Sequence, residues 1–256
     1  MIVLAATFNP RGEIGRLQGL YPQLQSVYEH ILISLPPWTT RDDIAVMSAL
    51  PCVRTYVNPE WSHGRYSALK AALETDAAFI HYADMDRLLR WVETRPDEWR
   101  QTVRAIKDSD YAVIGRTEAA YQTHPQSLVQ TERISNAVVS LFIGQAMDVS
   151  AGSKGFSRRA VEFLMAHTQP GRALGADGEW TVLLHRAGFK VDYIEVDGLD
   201  WESADRYQAQ AADGNRQRQL AEEYDTNAEN WAARVQVALE ITQAALDAMQ
   251  RELVET

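Results

Sequence analysis

Residues 64–86 read GRYSALKAALETDAAFIHYADMD. The first half is rich in Ala and Leu and predicts a helix over 65–75. The second half holds a short apolar run, AAFIHYA at 77–83, with the length and aromatic content of a buried strand, expected over 78–83. That run gives out at Asp84 and Asp86. On an extended chain residues i and i+2 point to one side, so the two carboxylates are expected to converge at the strand's end, unless they simply face water. Hard divalent cations take oxygen ligands, and magnesium commonly uses one or two carboxylates together with substrate phosphates, so the pair suits a metal-bound diphosphate.

Outward from this stretch, further short runs rich in Val, Ile and Tyr predict strands at 2–8, 30–35, 52–57, 111–115 and 190–196. Helical patterns lie between them at 13–28, 97–107, 132–146, 157–167 and 178–187, the fourth helix in the chain presenting Ile134, Val138, Leu141, Phe142 and Gln145 on one face. Strands alternating with helices imply the α/β class: a mainly parallel central sheet with helices on both faces. Ligands of such sheets bind at the carboxyl ends of the strands, where Asp84 and Asp86 fall. The segment 203–227 reads as a polar linker or loosely packed arm. After it Trp231, Val235, Leu239, Thr242, Leu246, Met249 and Leu253 recur every three or four residues. They mark a long amphipathic C-terminal helix that either packs back on the domain or pairs with a second copy as a homodimer.

The 256 residues are 46% hydrophobic, enough for a globular core, and carry a net charge of −10. Nucleic acid is not an expected partner, because binders of a phosphate backbone need a basic face. From residue 200 to the end there are twelve acids and five bases, so −7 of the −10 lies there. Basic residues earlier in the chain, Arg11, Arg65, Lys70 and Arg87 among them, are left to gather round a small anion. The apolar run at 137–147 is short of the about 20 residues that span a bilayer. MIVLAATF has no charged region before its apolar residues and reads as a first strand rather than a signal peptide. A single cysteine, Cys52, rules out an intramolecular disulfide and fits a reducing cytoplasm.

The stretch at 64–86 resembles the donor half of glycosyltransferases of the GT-A fold, especially the family-2-like group, in which a Gly-led, Ala-rich helix precedes a strand bearing D-x-D. Three more stretches fit in order. ATFNP at 6–10 is similar to the family's first-strand ending, DVSAGSKGFSRRAVEFL at 148–164 to its acceptor-side turn, short strand and helix, and GADGEWTVLLHRAGFKVDYIEV at 175–196 to its acidic helix, Gly turn and strand. The resemblance implies a Rossmann-like catalytic domain over 1–202, with a nucleotide-sugar and metal half at 1–115 and an acceptor half at 116–202. The segment 203–256 lies outside it. It implies donor contacts from Thr7, Asn9, Arg11, Arg65 and Asp84, a manganese or magnesium ion on Asp84 and Asp86, and an acceptor side at Gly152 and Ser153. Asp177 stands eleven residues before Gly188, where the family keeps its catalytic base, and Glu179 supplies a nearby second acid in place of the glutamate that Ala176 replaces.

The implied reaction is metal-dependent transfer of a sugar from a nucleotide donor to a hydroxyl acceptor. The cation offsets charge on the departing diphosphate, and Asp177 takes the acceptor's proton with inversion at the anomeric carbon. The family's acid at the end of the second strand is missing, since SLPPWTT at 34–40 stands there and offers Trp38 for stacking on a base. A further metal ligand is expected from Asp197, Asp200 or Glu202, which the sequence does not separate. Two other readings compete. A nucleotidyltransferase of similar core usually has a glycine-richer loop than NPRGEIGRL at 9–17, and a sugar-nucleotide-binding or assembly protein would keep the site without turnover.

Overall fold

The computed structural model describes residues 1–253. Seven strands form one sheet: β1 (Ile2–Thr7), β2 (Ile31–Leu35), β3 (Val53–Val57), β4 (Phe79–Asp84), β5 (Tyr111–Arg116), β6 (Ser153–Ser157) and β7 (Val191–Val196). Their order is β3-β2-β1-β4-β6-β5-β7, and all run parallel except β6, which is antiparallel to β4 and β5. The helices are α1 (Ile14–Gln25), α2 (Arg41–Ser48), α3 (Gly64–Ala72), α4 (Met85–Thr94), α5 (Pro96–Ala105), α6 (Glu118–Tyr121), α7 (Gln126–Ile143), α8 (Arg158–His167), α9 (Ala176–Arg186), α10 (Gly214–Asp225) and α11 (Ala228–Gln250). Along β1, Val3 and Ala5 join the core shared with α3, α7, α8, α9 and α11, while Ile2, Leu4 and Ala6 join the one under α1, α4 and α5. A strand covered on both faces needs apolar residues at nearly every position, which is why the inner strands β1, β2 and β5 read as nearly unbroken runs while the edge strands β3 and β7 carry charged residues.

The six strands expected from apolar runs are all present. β6, with sequence SKGFS, carries no such run, and only the family resemblance placed a strand there. Its composition follows from its neighbours. Ser153 and Lys154 are buried against polar partners, and a side chain at Gly155 would begin 2.5 Å from Ile106. β4 ends at Asp84, so Asp86 belongs to the first turn of α4 and the expected strand geometry for the aspartate pair does not apply.

The C-terminal segment is part of the same body rather than an appendage. Ile241, Ala245 and Ala248 of α11 belong to the core that contains Val3 and Tyr82, so the helix packs in cis. Its buried face is not the one expected. Ala238, Ile241, Ala244, Ala245 and Ala248 point inward, whereas Val235 and Leu239 are each 56% exposed. The cause is close approach to α9. A Cβ on Gly178 would lie 2.5 Å from the Ile241 carbonyl oxygen and one on Gly175 3.0 Å from Ala244, so only small residues fit this contact. α7 shows the same reversal, burying Ser135, Asn136, Val139 and Ile143 and leaving Ile134 and Leu141 exposed.

The stretch 203–227 is likewise docked and contains α10, whose N-cap Asp213 accepts hydrogen bonds from the Asn215 and Arg216 amides. Buried Arg90 of α4 holds it. Nε and Nη2 donate to the two Asp200 oxygens at 2.8 and 2.9 Å, and Nη1 donates to Asp205 at 2.7 Å and to the Ala212 carbonyl at 3.2 Å. Removing one partner of a buried ion pair leaves an uncompensated charge and costs about 3–5 kcal/mol. Arg90→Ala is therefore expected to lower the melting temperature by roughly 10 °C and to open 203–213 to proteolysis; an unchanged digestion pattern would show that this segment is held by other contacts.

Candidate active site

At the carboxyl ends of β1, β2 and β4 the sheet opens on a cleft of about 210 Å³. Strand register sets Thr7 beside Asp84. Thr7 Oγ1 donates to Asp84 Oδ1 at 2.8 Å, the Tyr82 hydroxyl donates to the same oxygen at 2.7 Å, and Arg65 Nη2 donates to Oδ2 at 3.2 Å. The i, i+2 relation expected of the aspartates is thus realised by Tyr82 and Asp84 instead. The Asp84 amide donates to the Gly152 carbonyl at 2.9 Å. Gly152 has φ +75°, and a Cβ there would stand 2.5 Å from Asp84 Oδ2, so backbone conformation and space both require glycine.

Asp86 reaches the same cleft from the first turn of α4. Burial, the Glu202 carboxylate and Asp84 together push its pKa up to about 7. Glu202 lines the cleft from a 3₁₀ turn over Glu202–Asp205, and its Oε2 is buried without a hydrogen bond, its ion-pair partner being Arg87 Nε at 3.4 Å. This separates the three acids that the sequence left equivalent: Asp200 is held by Arg90, Asp197 accepts from Thr117, and Glu202 faces the cleft. Among the described residues no three His, Cys, Asp or Glu side chains already form a metal cage. The chemistry of the donor set nevertheless fits a hard divalent cation, because burial and the neighbouring carboxylates raise the Asp86 pKa and Glu202 keeps a buried oxygen without a hydrogen bond.

Behind Asp84 the charges are locked. Arg65 Nη1 pairs with Asp177 Oδ2 at 2.5 Å, and the other Asp177 oxygen accepts from Lys154, which is fully buried and also donates to the Val149 carbonyl at 3.0 Å. Burial pushes the Asp177 carboxyl up, but Arg65 and Lys154 outweigh it and hold it below the usual range. A buried carboxylate with both oxygens paired to cations and its proton affinity lowered is not placed to act as a base. The role expected for Asp177 is corrected to fixing Arg65 and Lys154. Glu179, two residues on, accepts from Arg251 at 2.6 Å and ties α9 to the end of α11, away from the cleft.

Ser153 is also displaced from its expected place. It is buried beneath the cleft with Oγ 2.9 Å from His81 Nε2, in a chain that continues through Tyr28 to Trp99. Burial lowers the His81 pKa to about 3, so the ring stays neutral. Asn9 and Arg11 line the cleft, Asn9 accepting from Trp38 Nε1 at 3.1 Å, while Lys70 is exposed outside it. At the end of β2, Asn58 Nδ2 donates to Ser34 Oγ at 2.6 Å and to the Leu35 carbonyl at 3.0 Å, joining the ends of β2 and β3 beside Trp61 in the cleft wall. Asn58, Trp61, Lys154 and Arg234 were not singled out from the sequence. Asn58, Trp61 and Arg234 lie outside the four quoted stretches and reach this edge through the topology, whereas Lys154 lies within the third stretch but beneath the cleft.

No family model matches the chain, and no curated protein matches it. Among solved structures it is similar to Rv0371c of Mycobacterium tuberculosis H37Rv in complex with manganese, at 14% identity and TM-score 0.45 over 76% of this chain and 88% of that one. It is also similar to the bifunctional IspDF of Campylobacter jejuni, at 10% identity and TM-score 0.40 over 78% and 51%. A third is the mannosyltransferase PcManGT of Pyrobaculum calidifontis in complex with GDP-Man and Mn2+, at 9% identity and TM-score 0.38 over 96% and 75%. Likeness at this level carries no functional argument, which rests on the cleft.

Two substitutions test the electrostatics. An ionised Asp86 is unfavourable in the metal-free fold, and because its folded pKa is raised, the fold loses stability as pH rises from about 4 to about 7. Asp86→Asn should melt several degrees above the parent at pH 8 without metal, the gap narrowing toward pH 5; a gap independent of pH would rule out this titration. Asp177→Asn should instead lower stability by about 3–5 kcal/mol by leaving Lys154 and Arg65 under-compensated, and a variant that melts like the parent would return Asp177 to consideration as a base.

Proposed function

We propose that the protein is a metal-dependent glycosyltransferase that moves a sugar from a nucleotide donor to a hydroxyl acceptor. The observation that carries this reading is the convergence of Asp84, Asp86 and Glu202 with Arg11 and Arg65 in one cleft, at the point where the chain order turns from β1 to β2 on one side and to β4 on the other. Carboxylates beside cations at a strand-end crevice suit a diphosphate bound through a metal better than a neutral ligand. Asp86 and Glu202 would hold a manganese or magnesium ion, which when bound offsets the charge of the departing diphosphate.

The chain's own residues do the rest. Thr7, Tyr82 and Arg65 fix Asp84 so that the wall bearing the charge does not rearrange during reaction. Arg11 lines the cleft just beyond β1 and stands close enough to Arg206 that its charge, together with burial, lowers the Arg206 pKa. Two neighbouring guanidiniums favour an anion between them. Asn58, Ser34 and Trp61 offer neutral hydrogen bonding and an aromatic wall for the nucleoside.

Asp177 is locked, and the three carboxylates that line the cleft lie together at the metal end. The acceptor's proton is then taken by an oxygen of the leaving diphosphate, as the anomeric carbon's bond to that diphosphate breaks and its bond to the acceptor oxygen forms. This favours retention over the inversion expected from the sequence. The experiment is a melting series with UDP-, GDP- and dTDP-sugars, each with and without manganese, followed by NMR of the product. One nucleotide sugar should raise the melting temperature only with the metal, Glu202→Gln should lose that response, and the product should keep the donor's anomeric configuration. No response to any pair would overturn the reading, and an inverted product would restore a protein base.

A further inference from the structure

We infer that the acceptor is a small hydroxylated anion, a hydroxy acid or a phosphate ester of a polyol, whose charge is received by Arg234 of α11. The inference rests on the transferase reading of the cleft and names its second substrate.

The cationic side chains of the cleft fall into two groups. Arg65 is held by Asp84 and Asp177, and Arg87 by Glu202 and the Ala151 carbonyl at 2.6 Å. Arg11 and Arg234 line the same cleft without a carboxylate partner among the described residues. Arg11 belongs with Arg206 at the donor's diphosphate. Arg234 donates from Nε to the Tyr224 hydroxyl at 3.3 Å, and among the described residues its guanidinium makes no other hydrogen bond. Its position differs from that of Arg11 in one respect: it also lines a hollow of about 40 Å³ that shares Arg65, Asp84 and Arg87 with the cleft.

The hollow takes a carboxylate or about one water but no sugar ring, a single water occupying about 30 Å³ of the liquid. Each of its three acids is paired with a cation, Glu132 with Arg116 at 2.6 Å, Asp84 with Arg65 at 3.2 Å, and Asp177 with Lys154 and Arg65. A neutral polyol would leave Arg234 as it stands. A carboxylate or phosphate presents two oxygens to its planar fork, the geometry in which arginine binds most strongly. The remaining hydroxyl of such a molecule then extends from the hollow into the cleft, where the donor's sugar is held.

The test is calorimetric titration of the full-length protein, loaded with manganese and the nucleoside diphosphate that gives the largest melting shift. The ligands are D-glycerate, glycerol 3-phosphate, inorganic phosphate and glycerol. Glycerate or glycerol phosphate should bind and glycerol should not, the two anions distinguishing a carboxylate site from a phosphate ester site. Arg234→Gln should weaken the bound anion tenfold or more while leaving nucleotide affinity unchanged, and Arg234→Lys should recover part of the loss. Equal anion affinity in Arg234→Gln, or binding of glycerol alone, would overturn the inference. The same titration without nucleotide separates it from the reading beneath it. Anion binding that needs Arg234 although no nucleotide binds would keep the anion site and reject sugar transfer, whereas nucleotide binding without anion binding would do the reverse.

Discussion

Arg65 is the tie on which the arrangement of this cleft depends. It lies at the start of α3, 7% exposed, with one arm on Asp84 at the end of β4 and the other on Asp177 in α9. These two acids come from opposite halves of the chain, and Lys154 of the antiparallel β6 closes the set from below. Taking these charges out of water is costly, and a well-packed apolar core would be at least as stable. The arrangement gives geometric definition instead. Asp84 has its oxygens engaged by three donors, which fix its position at the end of β4.

The same device recurs where other segments must be placed. Arg116 of β5 is buried between Glu132 and Asp148, with Asn136 also donating to Asp148, and so sets α7 and the turn leading into β6. Arg90 sets the stretch from Asp200 to Ala212. Each of these arginines leaves the sheet or a helix next to it and gathers acids from a segment distant in sequence. The net charge of −10 therefore does not describe the site, because many of the acids are neutralised in pairs inside the molecule while Arg11 and Arg234 keep their charge for the cleft.

The sheet was legible in the sequence because its inner strands β1, β2, β4 and β5 are buried on both faces and mostly apolar, while the edge strands β3 and β7 still carry Val, Ile and Tyr between their charged residues. β6 is the exception for a chemical reason: its side chains serve the polar layer under the cleft, so its composition reports that layer and not a strand. The helices α7 and α11 were legible as helices but not in orientation. The hydrophobic rule puts the largest apolar residues inside, yet close contact of α11 with Gly175 and Gly178 places Ala244 and Ala245 there beside Ile241 and leaves Val235 and Leu239 outward. In the site, Asp84 and Arg65 were found by motif, whereas Asp177 was found in place but misread in role. Its two cationic partners lie 112 and 23 residues before it in the chain, a pairing that no local pattern encodes.

One helix links these observations. α4 begins directly after Asp84, and within five residues it presents Asp86 to the cleft, Arg87 to Glu202 and Arg90 to Asp200 and Asp205. Asp86 and Arg90 are four apart and Arg87 lies beside Asp86, so the positions share a face one turn long. Glu202 thus reaches Asp86 because the segment that carries it is clamped to the same helix by Arg90. An acid contributed by a C-terminal loop would ordinarily be free to move away from a like charge, the more so when proximity raises the Asp86 pKa. Here the unfavourable contact between Asp86 and Glu202 is held in place by favourable ones a turn away. This is how strain at a site is maintained by the rest of a fold, and it leaves the pair short of one positive partner.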